Sequence, residues 1–180
     1  MQIKFSSKLF TILGYAKDEA MRTGHLATGV DHLTLAMLRH ADNAACRILT
    51  ELGADLGELK GIIDAGIFQK ESVPYDLYDK IQPSKSSQQL VSMAAYEALR
   101  TKEPLVKPEH LLLALSRSQD NITRNWLEAH GYDYDRIKAH LEKKAKPQPG
   151  SQFPKKELMA MLGAQLSKLY VQSGEEKDIS

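Results

Sequence analysis

Three observations in the sequence predict an all-α fold. Shifting the chain by 78 positions aligns residues 6–64 with residues 84–142 without a gap. Apolar residues recur at helical spacing within both copies, and no stretch sustains the alternation of a half-buried strand. The matched pairs include Glu19/Glu97, Arg22/Arg100, Thr23/Thr101, His32/His110, Leu33/Leu111, Asn43/Asn121, Gly53/Gly131 and Asp55/Asp133. Core positions and punctuation repeat together, which marks an internal duplication.

Each copy reads as four helices. In the first, Leu9, Ile12, Leu13, Ala16 and Ala20 form an apolar stripe that stops before Gly24. Asp31–Arg39 is short and apolar on nearly all sides, as expected of a buried central helix. Asp42 is expected to cap a third helix, AACRILTEL, which Gly53 ends in the left-handed conformation. Asp55, with Glu58 three residues later, opens a fourth helix over Leu56–Ile63 in the manner of a capping box. The second copy repeats the plan over Ser84–Arg100, Pro108–Arg117, Asn121–His130 and Tyr134–Lys143, with Pro108 in the first helical position.

Residues 65–83 join the copies and contain Val73, Pro74, Tyr75, Leu77 and Tyr78. They are too many for a tight connection and are expected to cross the surface with their aromatic residues packed down. The repeats thus place a domain over residues 1–143. Beyond it, residues 144–154 read as a basic, proline-rich linker, 155–172 as an amphipathic helix and 173–180 as a polar tail. On a helical wheel Leu158, Met161, Leu162, Leu166 and Leu169 share one side. So short a helix is marginal alone in water. The stripe is expected to bury on a partner chain or a second copy, with docking on its own domain as the alternative.

Composition narrows the function. The 180 residues carry 24 Lys+Arg against 23 Asp+Glu, a net charge of +1, which does not suit a strongly basic nucleic-acid binder. The early apolar run Leu9–Ala16 is too short to span a bilayer and lacks a cleavage pattern, so a cytoplasmic protein with no membrane partner is expected. One cysteine, Cys46, allows no internal disulfide and lacks a histidine at helical spacing, so it reads as a small buried residue and not a nucleophile. The six histidines form no H-x-x-x-H or H-E-x-x-H pair, so neither metal nor cofactor is expected. No G-x-x-x-x-G-K-[ST] phosphate loop occurs, and no catalytic residue is assigned.

Two pairs of residues stand out. Asp31 and Glu109 open the central helix of each copy, where a carboxylate favours the helix dipole and accepts from free N–H groups. His32 and His110 follow them and are expected to hold the two halves together through hydrogen bonds, with a direct ligand role as the alternative.

KPEHLLLALSRS, the following LEAHGYD and YDRIKAHLE resemble the N-terminal repeat of the Clp/Hsp100 family of AAA+ unfoldases. GVDHLTLAMLR and AACRILTELGADLGELKGII look like a more diverged copy, and SSKLFTILGYAKDEAMRTGH resembles the family's first helix. The resemblance covers about residues 5–143 and implies a pseudo-twofold domain of eight helices. It also implies a recruitment module that binds adaptors, unfolded segments or degradation tags for an ATPase ring. Without the phosphate loop, the chain is either a stand-alone repeat protein or the N-terminal part of an ATP-dependent Clp subunit. In some members the acid at the Asp31 and Glu109 positions receives the guanidinium of a phosphorylated arginine. Val30 and Pro108 stand where those members have the threonine that helps hold the phosphate, so weak or absent phosphoarginine binding is expected. The implied binding residues are thus Asp31, His32, Glu109 and His110. The expected partners are a Clp-type unfoldase, an adaptor or a client. The alternative is a structural or regulatory protein that oligomerises through the repeat fold and its C-terminal helix.

Overall fold

A computed structural model describes residues 3–144. The expected basic linker, the helix over 155–172 and the polar tail lie outside the described residues. The eight expected helices are present as α1 Ser7–Thr23, α2 Val30–Arg39, α3 Ala44–Glu51, α4 Leu56–Ile67, α5 Lys85–Arg100, α6 Pro108–Ser116, α7 Ile122–Ala129 and α8 Tyr134–Lys144. Adding 78 to the bounds of α3, 44 and 51, gives those of α7, 122 and 129.

The caps explain most of the boundaries. Ser6 accepts from the Leu9 amide at the start of α1, and Ser84 accepts from the Ser87 amide at the start of α5. The third helix of each copy is capped by Asn43 or Asn121, not by Asp42 as the sequence suggested. Asn43 Oδ1 accepts from the Cys46 amide at 2.9 Å while its Nδ2 donates to the Met37 carbonyl at 3.1 Å. A carboxylate has no donor for that second bond, whereas the amide serves both ends of the turn. Asp42 instead faces solvent near the Lys8 ammonium at 3.7 Å. Asp55 caps α4 as expected, accepting from the Glu58 amide at 3.1 Å. Glu58 does not return the bond; its carboxylate accepts from Trp126 Nε1 at 3.2 Å in the other repeat.

Four two-residue strands link the halves. β1 (Lys4–Phe5) pairs in parallel with β4 (Leu105–Val106), and β2 (Ala27–Thr28) with β3 (Gln82–Pro83). The offset of 78 carries Lys4 onto Gln82 and Ala27 onto Leu105, so the two pairings exchange with one another. Each repeat's entry segment therefore lies against the other's first loop, the arrangement a pseudo-twofold axis requires. Between them α2 and α6 are sunk in one core, with Leu33, Leu35, Met37, Leu111, Leu112 and Leu115 fully buried. Each such side chain contributes about 1.5–3 kcal/mol of burial energy.

The connection after α4 is longer in its helix and less aromatic in its packing than expected. α4 runs on to Ile67, and residues 68–74 lead to a 3-10 helix over Tyr75–Lys80. The strap crosses the end of α1, where the Gln69 and Val73 amides donate to the Thr23 and Met21 carbonyls at 2.9 Å each. Gly24 permits the crossing: its φ is +86°, and a Cβ there would stand 2.4 Å from the Glu71 carbonyl oxygen. Val73, Leu77 and Tyr78 cover Ala20, Met21 and Ile81 in a small second core, and the Tyr78 hydroxyl donates to Asp18 at 2.8 Å. Tyr75, by contrast, is 82% exposed. No helix among the described residues is long and apolar enough to cross a membrane.

Candidate functional site

The paired histidines are buried and held by their own repeat rather than across the halves. His32 Nδ1 accepts from the Gly29 amide at 2.8 Å, and His110 Nδ1 accepts from the Lys107 amide at 2.9 Å. An accepting Nδ1 places the ring proton on Nε2 in both. His32 uses that proton against Thr23 Oγ1 at 2.9 Å, while the Thr23 hydroxyl itself donates to the Glu19 carbonyl. His110 has no such partner among the described residues, because the Thr101 hydroxyl turns to the Glu97 and Ala98 carbonyls. Burial pushes both imidazoles down to about 4; the charges on His25 and Arg22 add to this at His32. At His110, Glu103 opposes the shift while Lys107 and Arg100 reinforce it. Both rings are neutral at neutral pH.

The acids diverge further. Asp31 reaches across the pseudo-twofold to the N-terminus of α7. Its carboxylate accepts from the Ile122 amide at 3.3 Å, the Thr123 amide at 3.0 Å and the Thr123 hydroxyl at 2.8 Å. It acts as a cap supplied by the other repeat, with the favourable end of the α7 dipole before it. Asp31→Ala should therefore lower stability by about 2 kcal/mol in urea unfolding, whereas Glu109→Ala should change it by less than about 0.5 kcal/mol.

Glu109 forms no hydrogen bond or ion pair with any described residue. Its expected counterpart donors sit on α3, where Ala45 replaces Thr123 and offers no hydroxyl. Glu109 instead lines a cleft of about 270 Å³ together with His110, Arg47, Ile48, Leu113 and Leu141. Arg100 and Lys138 also border the cleft. The second repeat thus presents a carboxylate, a buried N–H donor and an apolar wall, where the first repeat has consumed the same groups internally. The cleft has an acceptor for a cationic side chain, a donor for a carbonyl and a wall for an aliphatic stem.

Sequence reasoning placed Asp31, His32, Glu109 and His110 at equivalent positions but missed Arg47, Thr123 and Lys138. Thr123 carried a signal, since Thr123 and Ala45 are aligned positions that differ in hydrogen-bonding capacity. Among the described residues no cluster of three His, Cys, Asp or Glu is arranged to hold a metal ion.

Comparison with known proteins identifies this architecture. The Clp repeat (R) N-terminal domain matches the chain over residues 4–98 and again over 82–178. The chain belongs to the Clp N-terminal repeat family. The chaperone protein ClpB of Oceanobacillus iheyensis is 23% identical over 142 residues, which is 77% of this Clp repeat chain and 17% of ClpB. The negative regulator of genetic competence ClpC/MecB of Bacillus subtilis is 22% identical over 138 residues, 77% of this chain and 16% of the relative. The chain therefore spans about a sixth of the length of these relatives. The Hsp104 N-terminal domain from Candida albicans superposes with a TM-score of 0.64 at 19% identity, covering 81% of this chain and 93% of that domain. A structure from work on a malarial protein secretion system gives 0.66 at 25% identity, covering 78% of this chain and 94% of the other.

Proposed function

We propose that this Clp repeat protein is a non-catalytic binding module of the cytoplasm that recruits substrate or adaptor proteins to a Clp-type ATP-dependent unfoldase or protease. The observation that carries the reading is the pairing of an unpartnered Glu109 carboxylate with the orphan Nε2–H of His110 in one cleft. Unlike a buried polar group in a settled core, both await a partner. Glu109 suits a guanidinium or ammonium group, the His110 donor suits a peptide carbonyl, and Ile48, Leu113 and Leu141 suit the stem between them. Asp31 and His32 occupy the equivalent places, but their hydrogen-bonding capacity is spent on Thr123 and Thr23. The proposal therefore rests on Glu109 and His110, with Asp31 and His32 supporting the frame around them.

Affinity capture with the full chain tests it. A Clp-type ATPase, identified by mass spectrometry, should elute with the wild-type chain and fall at least tenfold with Glu109→Lys, at an unchanged melting temperature. Elution of this chain alone supports the alternative, a platform that self-associates through residues 155–172. Equal capture by Glu109→Lys removes the cleft from the mechanism.

A further inference from the structure

A second cavity, away from Glu109, is explained by the internal symmetry. It measures about 410 Å³ and is lined by Ile3, Ala95, Ala98, Leu99, Leu105 and Val106. Subtracting 78 from its α5 positions gives Ala20 for Ala98 and Met21 for Leu99, while adding 78 to Ile3 gives Ile81. Ala20, Met21 and Ile81 are the floor of the small second core of the first repeat, where Val73, Leu77 and Tyr78 of the strap lie over them. The second repeat has the same floor, and no described residue supplies the cover. In the first repeat the cover comes from the chain that follows α4. The corresponding chain follows α8.

We propose that the cavity over α5 is the seat of this chain's own residues 153–158, which lie across the second repeat as the strap lies across the first. The sequence after α8 carries the same pattern at an offset of 80: Phe153–Pro154 matches Val73–Pro74, and Leu158 matches Tyr78. The extra two residues over the offset of 78 have a structural reason. Where the strap presses on Gly24, the second repeat has Lys102, a residue with a Cβ at φ +58°. A Cβ at Gly24 would meet the Glu71 carbonyl at 2.4 Å, so the second strap cannot take the same close path and needs a longer one. Phe153 brings more apolar surface than Val73, which fits a site that must be filled without a counterpart to Leu77, since position 157 is Glu. The segment is tethered to α8 by fewer than ten residues, so its effective concentration at α5 favours it over a second copy.

Cross-linking in the full chain decides the matter. Leu99→Cys combined with Phe153→Cys should form a disulfide within monomers on mild oxidation, at a yield at least fivefold above Leu99→Cys with Gln172→Cys. Cys46 does not compete, being buried at 3% exposure. In a separate chain, Phe153→Ser should lower the melting midpoint by more than about 4 °C, while Tyr75→Ser, its exposed counterpart, should shift it by less than about 1 °C. A cross-link found only in dimers would assign the cavity to a second copy and overturn the proposal. No cross-link above the control, or an unchanged midpoint for Phe153→Ser, overturns it equally.

Discussion

Acidifying the protein from pH 7 to pH 4.5 should remove about 4–5 kcal/mol of folding stability through two histidines alone. His32 and His110 are 5% and 4% exposed, and burial pushes each down to about 4 from the ordinary 6.5. Each ring uses Nδ1 as an acceptor from a backbone amide, so protonation there both charges a buried group and breaks the bond. The unfolded chain binds protons at these rings below about pH 6.5, while the folded chain refuses them until about pH 4. Stability from this source is therefore complete above 6.5 and drains as the pH falls toward 4. Urea unfolding midpoints at half-unit steps measure it. His110→Gln supplies the control, because a glutamine at this helix position also accepts from the amide of the residue before the helix but does not titrate. It should remove about half of the acid sensitivity. A midpoint that holds steady from pH 6.5 to pH 4.5, or a variant as acid-sensitive as the parent, would contradict this account.

The same histidines show how far the sequence reaches. The offset of 78 located both, and it located all eight helices to within a few residues, because caps and core spacing are local properties. His32 and His110 were expected to join the halves; they close their own repeats, since the first-turn amide lies nearer than any group across the axis. Asp31 joins the halves instead, through a threonine that only the second copy possesses. A repeat in sequence states that two positions are equivalent in place. It does not state which of the two finds a partner, because that depends on a residue from the other copy. Here the difference between Thr123 and Ala45 leaves Asp31 satisfied and Glu109 free. The two-residue strands escaped notice for a related reason. They are too short to carry a periodic pattern, and their pairing is set by the helices that bring the loops together. The Asn43 cap was legible in principle. Both copies have Asn beside an Asp, and the amide alone offers a donor and an acceptor in one side chain.

Replacing Glu97 should be the most damaging single substitution in the described residues, costing about 3–5 kcal/mol as Glu97→Ala. Its carboxylate is 2% exposed and ties three elements of the second repeat. Arg100 of α5 stands 3.1 Å away, Arg117 at the end of α6 stands 3.5 Å away, and the Tyr134 hydroxyl of α8 donates at 2.9 Å to both carboxylate oxygens. The Arg117 guanidinium also lies over the Tyr134 ring at 4.6 Å from its centre. Removing the acid leaves two guanidinium groups and a phenol facing an empty centre, which is costlier than the pair was worth when intact. The first repeat shows a different wiring, since its Glu19 shares Arg22 with Asp64 of α4, and position 56 is Leu where the second repeat has Tyr134. Glu19→Ala leaves Arg22 one acidic partner and should cost less. A spectroscopic reading separates loss of this network from general loosening. Burial, and then the neighbouring Glu97 charge, push Tyr134 up to about 12 from the ordinary 10. In Glu97→Gln, which keeps the side chain's shape, the slowest-titrating tyrosine in ultraviolet absorbance should move down toward 10 while the helical circular dichroism is retained. If the titration curve stays where it is and the stability loss is under about 1 kcal/mol, the carboxylate is not the hub that binds α5, α6 and α8.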